Sequence, residues 1–562
     1  MGFLKQEVPV VDFAEWSKGT RSERIRPMAR HWAEVGFGTP VALHLFYVAK
    51  IVAYVGVAAL LTRGHSWTDP IVFQKVVLYT MLFEVVGLGC GFGPLNNRFY
   101  PPMGSALYWL RPNTIRLPPW PNRVPLTRGD NRDPIDVALY GALLAVLVVA
   151  LLSGPTADGL LPDWQSWAVL ALLATAGLRD KVIFLAARGE VYAPFVVAFL
   201  FGGDNMLVAA KLACLAIWMG AATSKLTKHF PFVISTMMSN SPVVRPRAVK
   251  RAFFEDFPDD LRPGPLSRGL AHVSTAIEGL VPLVLFFSHG GWLTAVAAAV
   301  MIVFHLGILS AIPMGVPLEW NVFMIFCVLF LFVGHADAGL TDITNPLPVI
   351  LFAVMAGIVV AGNLFPQKIS FLPGMRYYAG NWDTTLWCIK PSAEAKIAGG
   401  IVAIANMPAA QLEKFYGSKE AAQIPIYMGY AFRGFNTHGK ALFTLAHRAM
   451  AGQEEDAYSV TDGERICSMA IGWNFGDGHL HNEQLIAALQ RRCHFEPGEV
   501  RVVLLDAQPI HRQTQHYRLV DAATGEFERG WVEVADMVVR QPWDDDVPVH
   551  VMSRADPPST SL

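Results

Sequence analysis

The chain has 562 residues, 53% of them hydrophobic and 16% charged, with a mean hydropathy of +0.35 and a formal net charge of −1 at pH 7. So apolar a composition, carrying several runs of spanning length, excludes an ordinary soluble protein and reads as an integral membrane protein. The near-zero charge offers no global basic surface, which excludes nucleic acid as the main partner.

The first forty residues are mixed in charge and lack an apolar h-region. They read as a cytoplasmic N-terminal segment (1–40) rather than a cleavable signal peptide, and Gln6 stands where N-myristoylation needs Ser or Thr. Apolar stretches follow at 41–62, 73–94, 136–154, 164–179, 182–201, 205–224, 269–288, 292–310, 320–335 and 346–364. Each approaches the ~20 residues that cross a bilayer, so the expected fold over 41–365 is an all-α polytopic membrane bundle of about ten transmembrane helices. Arg179, Asp180, Lys181, Arg188 and Glu190 interrupt the stretches between 164 and 201, which fits either a broken helix or a short turn. The loops at 95–135 and 225–268 are rich in arginine, whereas those at 155–163 and 336–345 contain no Lys or Arg. By the positive-inside rule both termini are then cytoplasmic, in a plasma-membrane protein.

From 366 to 562 the pattern changes to a small, soluble, cytoplasmic α+β domain, with a helix at 391–405 and strands at 500–506, 514–520 and 526–535, the last two joined by the turn sequence DAATGE. Residues 555–562 are polar and expected to fray. MRYYAGNWDTTLWC, residues 375–388, supplies Tyr377, Tyr378, Trp382 and Trp387, which read as an interfacial belt or as a lid over a lipid-accessible opening.

The six cysteines stand singly at 90, 214, 327, 388, 467 and 493, without CxxC or other paired spacing, and are expected as buried free thiols. Ionisable residues inside apolar spans are functional candidates by default. Four qualify: Glu84, Lys225 at the end of its apolar helix, Glu278, and His305 in MIVFHLGIL. Trp218, Ala221, Ala222 and Lys225 share one helical face, where small residues admit a close neighbour. Each candidate also has a plain structural reading: Lys225 as a snorkelling anchor, His305 as a hydrogen bond across the bundle, and the acids as buried members of pairs, Glu278 with a partner such as Lys225 or His305. If the Lys225 amine is desolvated, with Lys228 and His229 adding repulsion, it becomes a base. On that reading Lys225→Ala abolishes function with little loss of stability. In the tail, Asp477, His479, His481 and Glu483 alternate in GWNFGDGHLHNEQL, yet with Cys493, His494, His511, His516 and FNTHG (435–439) they complete no ligand set. A turn with solvated histidines is expected, no metal site is expected, and no cofactor can be named.

The segment IWMGAATSKLTKHF resembles a helix of the vitamin-K-dependent γ-carboxylase and the related HTTM membrane domains, where an aromatic, two small residues and Lys-Leu recur. FHLGILSAIPMGVPLEWNVFM resembles that family's Phe-His-Leu helix and its Gly-Pro turn, and GGDN at 202–205 resembles the turn entering the lysine helix. The resemblance covers about residues 190–335. It implies that Lys225 is a catalytic base and His305 its histidine partner. The whole chain also resembles a group of uncharacterised actinobacterial membrane proteins. Together these readings point to a membrane enzyme acting on a lipid-soluble, quinone-like or acyl-lipid substrate, surrounded by membrane lipids. The alternative is a non-enzymatic lipid-handling or transport protein, or a scaffold whose cytoplasmic domain docks a protein partner.

Overall fold

Helices begin where the sequence supplies acceptors for the unpaired N–H groups of a first turn. Asp133 and Asp136 form a reciprocal capping box on Pro134–Leu152, with its proline in the first turn, and Thr20 and Glu23 form another on Arg21–Val35. The computed structural model describes residues 2–90, 104–311, 318–450, 453 and 457–555. The Gly-Pro turn at 312–317, Arg98, the end of the 73–94 stretch and the polar tail beyond 555 lie outside the described residues.

Among the described residues six helices are long and apolar enough to cross a membrane: Val41–Leu61, Pro134–Leu152, Gly203–Ser224, Pro265–Phe287, Gly291–Ala311 and Leu347–Leu364. They account for six of the ten expected spans. The other four stretches are helical but fall short. Pro70–Val85 and Asp163–Arg179 have 16 and 17 residues, about 24–26 Å of rise against ~30 Å of hydrocarbon. The 182–201 stretch is divided between Lys181–Ala186 and Gly189–Phe199 by Arg188, whose φ of 52° is left-handed. Leu318–Cys327 runs on into a π-helical turn, Val328–Gly334.

Gly203–Ser224, the helix that ends in Lys225, is the axis of the bundle. It is 89% buried over its apolar window, whereas the other five crossing helices range from 11% to 33%. Small residues permit this enclosure. A Cβ at Gly220 would lie 2.8 Å from the Met375 Cβ, and one at Gly279 would lie 3.4 Å from the Ala222 Cβ, so Pro265–Phe287 approaches closely where Ala221 and Ala222 present little bulk.

Beyond the bundle lies a six-stranded antiparallel sheet. Its order is Ser459–Asp462, Thr384–Ile389, Val500–Leu505, Thr514–Asp521, Gly525–Glu533 and Val549–Arg554. The expected helix at 391–405 appears as Pro391–Gly400, and Asp521 pairs with Gly525 at the predicted hairpin. Thr384–Ile389 is buried throughout because it has covered faces on both sides. Trp387 and Ile389 enter the core shared with the membrane helices, while Leu386 and Cys388 enter a second core with Tyr427, Phe435 and Val503. Trp387 is therefore a core residue and not part of an interfacial belt; its neighbours Leu386 and Cys388 face the opposite side of the strand.

The N-terminal segment joins the second core. Trp32 packs 5.3 Å from Phe432, ring to ring, and its Nε1 donates to the Thr236 carbonyl at 3.2 Å. Other segments between the membrane helices also meet the sheet domain: Trp109 Nε1 donates to the Ile471 carbonyl at 3.1 Å, Lys181 Nζ to the His479 carbonyl at 2.7 Å, and Arg492 pairs with Asp130 at 3.0 Å. The six cysteines are buried thiols that form no disulfide.

Candidate functional site

Lys225 caps the C-terminal end of Gly203–Ser224, and its stem reaches across to Pro265–Phe287, where the ammonium pairs with the Glu278 carboxylate. Both side chains are buried, and the ring of Phe230 lies 5.3 Å from Lys225 Nζ. An isolated charge in this setting would cost several kcal/mol; the pair offsets much of that cost. Lys225 is thus more than a snorkelling anchor, because its charge turns inward to a partner.

His305 lies one layer away on Gly291–Ala311. Trp218 Nε1 donates to His305 Nε2 at 3.1 Å, which leaves the proton on Nδ1 to donate to Asn321 Oδ1 at 2.9 Å. Both ring nitrogens are engaged, so the imidazole ties three helices together.

Lys225, Glu278 and His305 all border one cavity of about 340 Å³, within the size range of small-molecule sites. Its walls are mainly apolar, with Phe230, Val233, Ile234, Met237 and Phe304 prominent, and its polar groups include Arg188, Tyr377 and Tyr378. Val303 and Val243 at the boundary are 67% and 70% exposed, so the cavity reaches the outer surface of the helices. Tyr377 and Tyr378 border the cavity, in keeping with the lid reading of that segment more than with a belt.

Glu84 stands apart from this group. It is fully buried, accepts the Cys90 backbone N–H at 2.9 Å, and faces Cys90 and Glu319. Glu319 and Arg188 are the residues that sequence reasoning passed over. Arg188 and Glu190 stand two apart in an apolar stretch and pair at 2.7 Å, a pattern that signals a self-neutralising internal pair. The Arg188 guanidinium also lies 4.8–5.5 Å from the rings of Phe475, Trp320 and Tyr377.

His229 does not act on Lys225 in the way expected from sequence. It is buried and turned toward Thr437 and Gln508, with Nε2 and Gln508 Oε1 2.7 Å apart, and burial holds its pKa down to about 4 despite the Gln508 contact. It is neutral at pH 7 and adds no repulsion. Lys228 points to solvent.

The tail motif disperses. Asp477 accepts from Ser370 Oγ at 2.6 Å, His479 meets Asp383 at 3.2 Å, His481 Nδ1 meets Thr385 Oγ1 at 2.7 Å, and Glu483 pairs with Arg518. Residues 473–482 are turns and irregular chain, as the Gly and Asn content suggests, although His481 is buried rather than solvated. Among the described residues, the group of ligand-type side chains that does converge is Glu84, Cys90 and Glu319.

Residues 1–552 match the family described as transmembrane protein of unknown function (DUF3556). The chain belongs to this family. The match spans the membrane helices and the sheet domain alike. No curated protein and no solved structure matches the chain.

Proposed function

We propose that this DUF3556 protein holds a lipid-soluble, amphipathic molecule in the cavity beside Lys225, its apolar part against the walls and its polar part facing the Lys225–Glu278 pair. The observation that carries this reading is a buried ion pair bordering an apolar cavity, instead of being sealed by packing. The pair is neutral as a unit and presents both a cation and an anion to a bound polar group. Quinone-like molecules and acyl lipids share the required chemistry, an apolar body with an oxygen-bearing end. In this role Lys225 stabilises charge and keeps its partner; acting as a base would require it first to yield its proton beside Glu278. The likeness of its helix to carboxylase-related membrane domains, together with its position at the cavity, favours a second reading in which the bound molecule is also transformed there with Lys225 as base.

The test is mass spectrometry of molecules retained by the protein extracted in native-lipid nanodiscs. Wild-type protein is expected to carry a defined amphiphile in near-stoichiometric amount. Ile234→Trp, which places a large ring in the cavity, is expected to deplete it. Equal retention by both proteins, or only bulk lipid in each, overturns the reading.

The packing of Arg21–Val35 against Lys419–Phe435 supports placing both ends on one side of the membrane, and the arginine-rich loops support the cytoplasmic side of the plasma membrane. Because the native cysteines are buried, Arg540→Cys provides a clean probe. It is expected to react with an impermeant maleimide only after cell lysis, and reaction in intact cells refutes this orientation.

A further inference from the structure

Glu84, Cys90 and Glu319 bring two carboxylate oxygens and a thiol sulfur within 4.8 Å of one another in the buried interior. The sequence arranges this locally. Pro70–Val85 ends just past Glu84, and the chain curls so that the Cys90 N–H returns to Glu84 Oε2. Gly89 makes the approach possible, since a Cβ there would lie 2.1 Å from that oxygen. Glu319 comes from the Leu318–Cys327 helix, immediately before Trp320 of the cavity wall.

A second observation points to a ligand. Glu84 is 0% and Glu319 2% exposed, yet Glu84 Oε1 and both Glu319 oxygens have no hydrogen-bond partner among the described residues. Buried carboxylate oxygens are ordinarily satisfied, because leaving them bare costs roughly 1–3 kcal/mol or more each. The neighbouring cations do not settle the account. Lys50 Nζ is 3.5 Å from Glu319 Oε2, and Arg188 is committed to Glu190 at 2.7 Å while its other nitrogen lies 3.7 Å from Cys90 Sγ. Among the described residues three carboxyl groups share two cations, Lys50 and Arg188, so one of the three lacks a cation.

We propose that Glu84, Cys90 and Glu319 bind one divalent transition-metal ion of the zinc type, with Cys90 as thiolate and a fourth position open. Binding releases to solvent the Cys90 proton and any proton held between the Glu84 and Glu319 carboxyls, and involves no electron transfer. The ion's two positive charges then balance the remaining carboxylate charge and the new thiolate, so the cluster with Lys50 and Arg188 becomes neutral. A thiolate beside carboxylates selects zinc-like ions over magnesium or calcium. Zinc–sulfur and zinc–oxygen bonds of about 2.3 and 2.1 Å at a tetrahedral angle set ligand atoms about 3.4–3.6 Å apart, so side-chain rotations that draw the three atoms together by about 1 Å close the site. Lys50 and Arg188 supply outer contacts to Glu319 and Cys90 and orient them. This inference does not rest on occupancy of the neighbouring cavity.

The test uses the full-length protein in detergent, stripped with chelator and reloaded with Zn²⁺ or Co²⁺. About one equivalent per chain is expected by elemental analysis, and Co²⁺ is expected to give a thiolate-to-cobalt charge-transfer band. Cys90→Ser should abolish that band, and Glu319→Gln should weaken zinc binding by at least about tenfold. Should either variant fail to fold, the reloaded wild-type protein decides: no band and no retained zinc overturns the proposal. Zinc retention unchanged in a folded Glu84→Gln/Glu319→Gln variant overturns it equally. A third overturning outcome is absence of zinc in wild type with a raised melting temperature in Glu84→Gln, which means that the two carboxyls share a proton instead.

Discussion

Lys225 and Glu278, 53 residues apart, form an ion pair between the central helix of the bundle and Pro265–Phe287. That relationship replaces the expectation that Lys225→Ala leaves stability intact, since removing one member strands the other charge in the interior. Lys225→Met is expected to lower the unfolding free energy by about 3–5 kcal/mol, and the double variant Lys225→Met/Glu278→Leu to recover most of it. Unfolding of the detergent-solubilised proteins, followed by tryptophan fluorescence, checks this; a double variant no more stable than the single one would show that the pair is not the unit of stability.

His305 is predicted to behave as a tie between helices, distinct from Lys225. Its two nitrogens join Trp218 and Asn321, so His305→Phe leaves the indole N–H without its acceptor and is expected to cost about 1–3 kcal/mol. Because Trp218 also forms part of the cavity wall, retention of the bound amphiphile should fall in proportion to folded protein. Retention lost at full stability would instead assign His305 a direct contact with the molecule.

The membrane class, the central place of the Lys225 helix and the burial of all four intramembrane ionisable residues were legible in the sequence because hydropathy and the cost of buried charge act locally. For Glu278 the sequence narrowed the partner to Lys225 or His305, because a buried acid needs a cation or donor, and the structure pairs it with Lys225. The neighbours of Glu84 were not legible, since Glu319 lies far along the chain. The apolar stretches outnumber the six long helices because short helices such as Pro70–Val85, buried by neighbours, are as apolar as the longer ones. In the tail, Thr384–Ile389 was hidden because a strand covered on both faces lacks the alternation of a half-exposed one. Ser459–Asp462, at four residues, is too short for a periodic signal.

The pairing of His479 with Asp383 makes a pH prediction for the sheet domain. Burial alone would lower the imidazole, but the Asp383 carboxylate 3.2 Å away outweighs it and raises the pKa to about 8, while His479 and Arg376 hold Asp383 below the usual carboxylate range despite its burial. A raised histidine contributes stability that is fully present below its unfolded value of about 6.5 and lost as pH rises through about 8. A depressed carboxylate contributes stability present above about 3.9 and lost on acidification below it. Between about pH 4 and 6.5 both terms are in force. Relative to His479→Gln, the wild type is expected to gain about 1–2 kcal/mol in that window and to lose the advantage above pH 8. Melting curves across pH check this, and a constant difference between the two proteins would remove the pair as its cause.

Lys440 yields a prediction of opposite sign. It is fully buried in Thr437–Met450, its Nζ has no hydrogen-bond partner among the described residues, and the Phe232 ring is 4.1 Å away. Burial lowers its pKa to about 7, with Asp544 opposing that shift only in part. In the unfolded chain the amine takes up its proton as pH falls through about 10.4, whereas in the folded protein it waits until about 7, so Lys440 drains stability progressively across that interval and by a constant amount below it. Lys440→Met keeps the apolar stem and deletes the amine. It is expected to stabilise the protein by about 1–3 kcal/mol at pH 7, with the gain shrinking as pH approaches 10.4. Thermal unfolding at pH 7 and at pH 10 distinguishes the cases, and a variant less stable than wild type at pH 7 would mean that the amine serves a partner worth more than its burial costs.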